Sequence, residues 1–409
     1  MAIRPILSSL FRHKIVAALI VLEVAFTCAI FCNAVYLIAA RIQRIDRPSG
    51  IVESEVLRIR LSAAKRGEED ALAQTRTDLA ALRSVHGVLS VVVTNQIAYG
   101  DSSTNSGVKT RAEQENPTLD ASIYMSGAGL IDTLGVKLVS GRDFREDEFI
   151  DWKPGDAPGD ISIPTAILTR DTAERLYPGQ NAVGQSFYSW GGTPTRIVGV
   201  IERLIRPSDT DDASAINYSM IFPVNLPYTG GASFLLRTVP GQQERVLADA
   251  TKVLARSGPR RTFEIDNGTL ESMRDRYYRT DRAMAWLLAL VCAALLVITT
   301  LGIVGLASFW VQQRVQSIGV RRALGASRKQ ILMHFQIENL VLTGVGTMLG
   351  MLLAFALNTW LMRHYELSRL PIEYLPVGAL CLLVLGQIAV LYPALQAAAI
   401  PPAIATRNA

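Results

Sequence analysis

The chain has 409 residues, 49% of them hydrophobic and 19% charged, with a formal net charge of +5. So apolar a composition excludes a disordered chain, and so small a charge, with no DNA-binding motif, gives no ground for a nucleic-acid surface. Only 4 cysteines occur, too few for a disulfide-built scaffold.

The apolar residues gather toward the two ends. Residues 1–14 carry Arg4, Arg12, His13 and Lys14, and residues 15–40 form a first predicted transmembrane helix whose one charge is Glu23. This run far exceeds the roughly 7 to 15 apolar residues of a cleaved signal. Glu23 lies about 12 Å along the helix from Ile15 at 1.5 Å per residue, deep enough for ionisation to be costly. Its pattern leaves two roles open: a pair across a dimer or with inner headgroups, or a protonated or snorkelling side chain. Cys28 and Cys32 share a helix face and are read as packing residues, so no metal site is expected.

Residues 41–282 read as one large extracytoplasmic α+β domain with helical stalk ends. An amphipathic helix is expected from Glu68 to Ser84, with Leu72, Leu79 and Leu82 as its apolar set and Asp78 and Arg83 as its polar one. A strand follows at Val88 to Val93, then a polar loop at Gly100 to Asn116. Gly141 to Asp143 reads as a turn in which Asp143 accepts backbone hydrogen bonds. A helix at Arg170 to Leu176 takes Thr169 as N-cap. Strands at Ile197 to Ile201 and Phe234 to Leu236 flank a turn at Pro207 to Asp212, and a helix spans Glu244 to Arg256. Leu270 to Arg282 then runs without a helix breaker into the second span.

That second span is placed at 283–311, within 31 uncharged residues from Ala283 to Gln313; the third is 339–362, with 24 uncharged residues. Each exceeds the roughly 20 needed to cross a bilayer. A short loop at 363–374 leads to a fourth span, 375–392, and residues 393–409 close the chain. In the third span Gly346 and Gly350 form a GxxxG helix-packing face. Residues 312–330, QQRVQSIGVRRALGASRKQ, hold Arg314, Arg321, Arg322, Arg328 and Lys329 without an acidic neighbour, which assigns this short loop to the cytoplasm. Four spans then put both termini inside and residues 41–282 outside. Ser317 to Leu324 fits a short helix on the membrane surface. Ile318, Val320 and Leu324 would face lipid, and Arg321 and Arg322 lipid phosphate or an acidic partner. A plain positive-inside loop is the alternative.

No GxxxxGK[ST] stretch or catalytic constellation is present, so the chain is expected neither to hydrolyse ATP nor to act as an enzyme. The segment SIGVRRALGAS (Ser317 to Ser327) resembles the signature of ABC transporter permeases of the MacB/FtsX type. VSGRDFREDE (Val139 to Glu148), AILTRDTAERLYPGQNAVGQSF (Ala166 to Phe187) and YPALQAAAIPPAIATR (Tyr392 to Arg407) are similar to that family as well. The resemblance implies four transmembrane helices with a large periplasmic α+β domain between the first and second, in a bacterial inner membrane. It implies that Ser317, Ile318, Gly319, Val320, Arg321, Arg322, Ala323, Leu324, Gly325 and Ala326 form an ATPase-coupling segment. The implied partners are a cytoplasmic ABC ATPase dimer, which would bind ATP and Mg, a second permease copy or related permease, and membrane lipid. A periplasmic adaptor and an outer-membrane duct stay open. The chain itself would bind no cofactor, and its work would be export or extrusion of a drug, peptide or lipoprotein. An FtsX-like signalling permease, which regulates a periplasmic partner without moving cargo, is the alternative. Two departures stand out: Gln316 and Ser317 replace the acidic residue that commonly precedes Ile-Gly, and Gln396 to Ala399 lacks the usual basic residues. Both would suit one half of an unequal permease pair.

Overall fold

The computed structural model describes residues 14–63, 71–153, 162–189, 193–208, 215–227, 232–257, 261–264, 267–365 and 370–399. Arg4, Arg12, His13, the first residues of the helix expected from Glu68, most of the turn expected at Pro207 to Asp212, and Pro401, Pro402 and Arg407 lie outside these. The chain divides into a helical unit, Met1–Asp46 with Thr280–Ala409, and a sheet unit, Arg47–Arg279.

Helix α1 (Lys14–Ile45) opens the helical unit. The sheet unit begins with β1 (Val56–Ile59), β2 (Leu61–Ala63), α2 (Ala71–Arg83), β3 (Val88–Thr94), β4 (Asn105–Val108) and β5 (Leu119–Ser126). It continues with α3 (Leu130–Leu134), β6 (Leu138–Gly141), β7 (Ile150–Asp151), β8 (Thr165–Thr169), α4 (Arg170–Leu176), β9 (Ser186–Phe187) and β10 (Thr195–Ile201). Strands β11 (Ser219–Asn225) and β12 (Ser233–Thr238), helix α5 (Gln243–Ser257), strands β13 (Arg261–Phe263) and β14 (Gly268–Thr269), and helix α6 (Leu270–Tyr277) complete it. Four helices then follow: α7 (Arg279–Gln313), α8 (Val315–Ala323), α9 (Arg328–Tyr365) and α10 (Tyr374–Ala399).

Along the main sheet the strand order is β14-β1-β12-β3-β5-β11-β8-β10-β6. It is mixed: β8 and β10 are parallel, joined by the α4 crossover that such a pair requires, and β5 and β11 are parallel too. The core is built from alternate strand residues, including Leu57, Ile123, Leu168, Phe222 and Phe234, all at most 1% exposed. Helix α5 lays Val246, Ala250 and Leu254 on it, an i, i+4, i+8 stripe.

Four local expectations need correction. The loop expected at Gly100 to Asn116 contains β4, which pairs antiparallel with β5; its Asn-Ser-Gly sequence is a poor strand former and is held by that partner. Asp78 faces inward and is fully buried, where it accepts hydrogen bonds from Ser257 (2.8 Å) and Gln74 (3.2 Å). A buried carboxylate is tolerated when its hydrogen bonds are supplied. Thr169 is the residue before α4, but its hydroxyl bonds Thr172 and the Asn217 carbonyl rather than capping the helix. Finally, the lead-in to the second span is interrupted: α6 ends at Tyr277 and α7 starts at Arg279.

The Gly141 turn is present. Gly141 has φ +77°, and the Asp143 carboxylate accepts the Phe144 N–H at 2.7 Å. Beyond it, Arg142 donates one bond to each oxygen of Glu148, both 2.7 Å, and the Arg145 N–H adds another. These Arg142 bonds hold the Glu148 carboxyl below its ordinary range despite partial burial.

In the helical unit four helices, α1, α7, α9 and α10, are long and apolar enough to cross a membrane. Without a hydrophobic drive between helices in lipid, close backbone approach and hydrogen bonds hold such a bundle together. Helix α9 presents Gly346 and Gly350 to α1. A Cβ on Gly346 would stand 2.8 Å from Val24 Cβ, and one on Gly350 would collide with Cys28 Cβ and stand 2.7 Å from the Ala25 carbonyl oxygen. Polar side chains complete the contacts: Asn33 to the Ala354 carbonyl (3.3 Å), Asn339 to the Gly386 carbonyl (2.9 Å) and Thr27 to Thr299 (2.8 Å).

Gly350→Val lowers the thermal midpoint of the detergent-purified chain by the equivalent of about 1–3 kcal/mol, the usual cost of overpacking. Gly344→Ala, where a Cβ meets nothing within 4 Å, leaves it unchanged. Because the folded value of Glu148 is depressed, its stabilisation is complete above the unfolded carboxyl value near pH 4.3 and disappears as pH falls through the folded one. Arg142→Ala therefore costs at most about 1 kcal/mol near neutrality and nothing in strong acid, read by pulse proteolysis across pH.

Candidate functional site

The basic segment between α7 and α9 folds into a helix despite Gly319, since no proline interrupts Val315 to Ala323. Helix α8 is closed by Gly325 at φ +97°, a conformation a side chain resists. Ser327 then caps α9 reciprocally: its hydroxyl accepts the Gln330 N–H at 3.2 Å, and the Gln330 side chain accepts the Ser327 N–H at 2.9 Å. Ser317, Gly319, Ala323 and Ala326 lie on this connection with the rest of the expected segment.

The apolar residues of α8 do not share one face as the surface-helix reading expected. Ile318 is buried, 5% exposed, whereas Val320 is 51% and Leu324 84% exposed. Ile318 packs with Val311, Ile331, Phe335, Ala394, Ala397 and Ala398, joining α8 to α7, α9 and α10. Arg322, one turn on from Ile318, donates to the Ala398 carbonyl at 3.0 Å near the end of α10. Arg321 stays exposed beside Val320 and Leu324.

Arg314 also departs from expectation, for it does have an acidic partner. Glu338, in α9 just before the uncharged stretch, is 1% exposed and stands 3.1 Å from the Arg314 guanidinium. Counting charges within residues 312–330 missed it because Glu338 lies beyond that stretch, 24 positions on from Arg314 in α9. Glu23 likewise is not the only ionisable group within the long helices. It faces α7, where Gly302 leaves the room its carboxylate occupies; a Cβ there would collide with it.

A second polar constellation, missed by sequence reading, belongs to the sheet unit. Glu53 accepts from Ser49 and Tyr99 at 2.5 Å each and from Arg274 at 2.9 Å, and Arg274 also reaches the Arg47 carbonyl at 3.1 Å. This joins the segment that follows α1 to the helix that precedes α7. Tyr99 holds φ +67°, the one non-glycine residue in the left-handed region among those described. Burial, and then the bond to Glu53, keep its hydroxyl protonated far above the ordinary range. The residues are 46 and 221 positions apart from Glu53, so no local motif announces them.

Residues 289–402, which include α8 and both its anchoring helices, match the family described as FtsX-like permease C-terminal. The chain is similar to the macrolide export ATP-binding/permease protein MacB 1/2 of Paracoccus denitrificans, with 28% identity over 60% of this chain and 36% of that protein. It is also similar to the uncharacterized ABC transporter permease YknZ of Bacillus subtilis, with 24% identity over 68% of this chain and 64% of that one. The match thus spans less than two thirds of either relative. Among solved structures, the extracellular domain of YknZ aligns with 51% of this chain and 99% of its own at 16% identity, TM-score 0.33. The periplasmic region of MacB from Actinobacillus actinomycetemcomitans aligns with 57% and 97% at 14% identity, TM-score 0.34. The matched residues lie in the helical unit, and the Glu53 cluster outside them.

Glu53→Ala leaves the half-buried Arg274 guanidinium without its carboxylate and is expected to destabilise the sheet unit by about 2 kcal/mol or more. Tyr99→Phe costs about 1 kcal/mol, one hydrogen bond. Thermal unfolding of the full chain, followed by proteolysis between residues 47 and 279, reads both.

Proposed function

We propose that this chain is the membrane permease subunit of a MacB-type ABC transporter, with α8 as the element that receives force from a partner ATPase. The carrying observation is the division of α8 into an anchored and a bare side. Ile318 and Arg322 fasten it to α9 and α10, while Val320, Arg321 and Leu324 project from it, two apolar residues and a cation on the surface of a basic loop. The positive-inside bias supports a cytoplasmic position for that surface, with residues 41–282 in the periplasm and both termini inside. The names of the similar proteins, an export ATP-binding/permease and an ABC permease, support the same reading.

On this reading ATP, with its Mg, is bound and hydrolysed by the partner. The permease pairs with a second copy or a related permease, and movement of α8 reaches the sheet unit through α1 and α7. Asp281, 6% exposed, supports transmission by both helices together, since it binds Arg41 of α1 at 2.5 Å and Arg44 at 3.0 Å. The polar groups inside the helical unit bond helix to helix, which supports movement rather than a hydrophilic pore. The work is export or extrusion of a drug, peptide or lipoprotein.

The test is affinity purification of the full chain from its native membrane in mild detergent. An ABC ATPase is expected to copurify, and Arg321→Glu with Leu324→Glu to reduce its recovery about tenfold, loss of two contact groups worth about 1.4 kcal/mol or more together. Arg322 is left intact because it holds α10. A chain recovered without ATPase overturns the proposal; recovery of a cell-wall hydrolase regulator would replace export with signalling.

A further inference from the structure

The break between α7 and α8 is made at one residue. Arg314, with φ −109° and ψ 9°, is the only residue between the two helices. Its side chain is bound from both sides. The guanidinium Nη1 lies 3.1 Å from each oxygen of Glu338 in α9, and the ring of Trp310, in the last turn of α7, lies 5.1 Å from the guanidinium carbon. Glu338 is 1% and Trp310 4% exposed. At the far end of α8, Arg322 ties it to α10.

A carboxylate this buried is stable as an anion only against a cation, so the pair does not loosen by degrees. Either the guanidinium lies on Glu338, or a buried charge is left bare and the bend must rearrange. Interactions with two discrete arrangements of this kind are what convert a local push into a larger displacement. The geometry points to Arg314 and Glu338 as positioning residues of the coupling step. Their ion pair makes α8 turn as one piece with the Arg328 end of α9, so that force applied to α8 moves the long helices instead of bending the chain at Arg314. This rests on the ATPase-coupled reading above.

The experiment uses the full chain in complex with its copurified ATPase and compares hydrogen exchange of residues 47–279 with and without ATP. In Glu338→Gln and Arg314→Gln the ATPase is expected to remain bound and to hydrolyse ATP, while the ATP-dependent change in exchange falls about fivefold or more. The exchanged pair, Arg314→Glu with Glu338→Arg, is expected to recover part of it. If the neutral variants do not fold, Arg314→Lys carries the test: it keeps the charge but loses the planar fork and the stacking on Trp310, and a reduced change is expected. Variants that keep the full ATP-dependent change overturn the inference and leave the transporter reading standing. Variants that lose the ATPase also overturn it, by showing the pair to be a prop for binding. A wild-type complex with no ATP-dependent change overturns both.

Discussion

The helical unit depends on the contact of α1 with α9 through Gly346 and Gly350. Lipid rewards no burial of apolar surface between helices, so attraction must come from atoms brought within van der Waals contact and from hydrogen bonds. Two glycines one turn apart remove the side chains that would hold the backbones apart, and Val24, Ala25 and Cys28 fill the space. Because α1 is held there, its polar residues can meet partners at fixed heights: Glu23 opposite Gly302, Thr27 opposite Thr299, Asn33 opposite Ala354.

Charge does the complementary work at the ends of the long helices. Asp281 draws Arg41 and Arg44 together at one end of the α1–α7 pair, and Glu338 draws Arg314 toward α9 near the other end of α7. Buried pairs like these contribute little net stability, since desolvation offsets attraction, but they penalise every alternative arrangement. They therefore hold the two ends of α7 against α1 and α9. The sheet unit repeats the device with Glu53, which binds a residue following α1 and one in α6.

Much of this route was legible without coordinates. Long uncharged runs specify the four helices, because hydrocarbon leaves no other way to satisfy the backbone. The GxxxG spacing of Gly346 and Gly350 was legible as well, since two small residues one turn apart mark a helix-packing face. The strands β3, β10 and β12 follow from β-branched and apolar runs. What failed were features decided by partners far away in sequence. Strand β4 exists because β5 completes its hydrogen bonds; Asp78 turns inward because Ser257 meets it; the α8 face splits because α9 and α10 both press on Ile318.

By itself, then, the sequence determined the number of long apolar helices, the insertion of one α+β domain after the first, and the position of the basic segment. Each of these rests on hydropathy or on the backbone preference of a few residues, which act within a turn or two of chain. The tertiary structure alone decided which side of α8 is free, that Arg314 is neutralised by Glu338, where Glu23 points, and that Glu53 gathers Ser49, Tyr99 and Arg274. Those outcomes depend on distances between helices and strands that are remote along the chain, and an ion pair or a buried hydrogen bond has no sequence period to announce it.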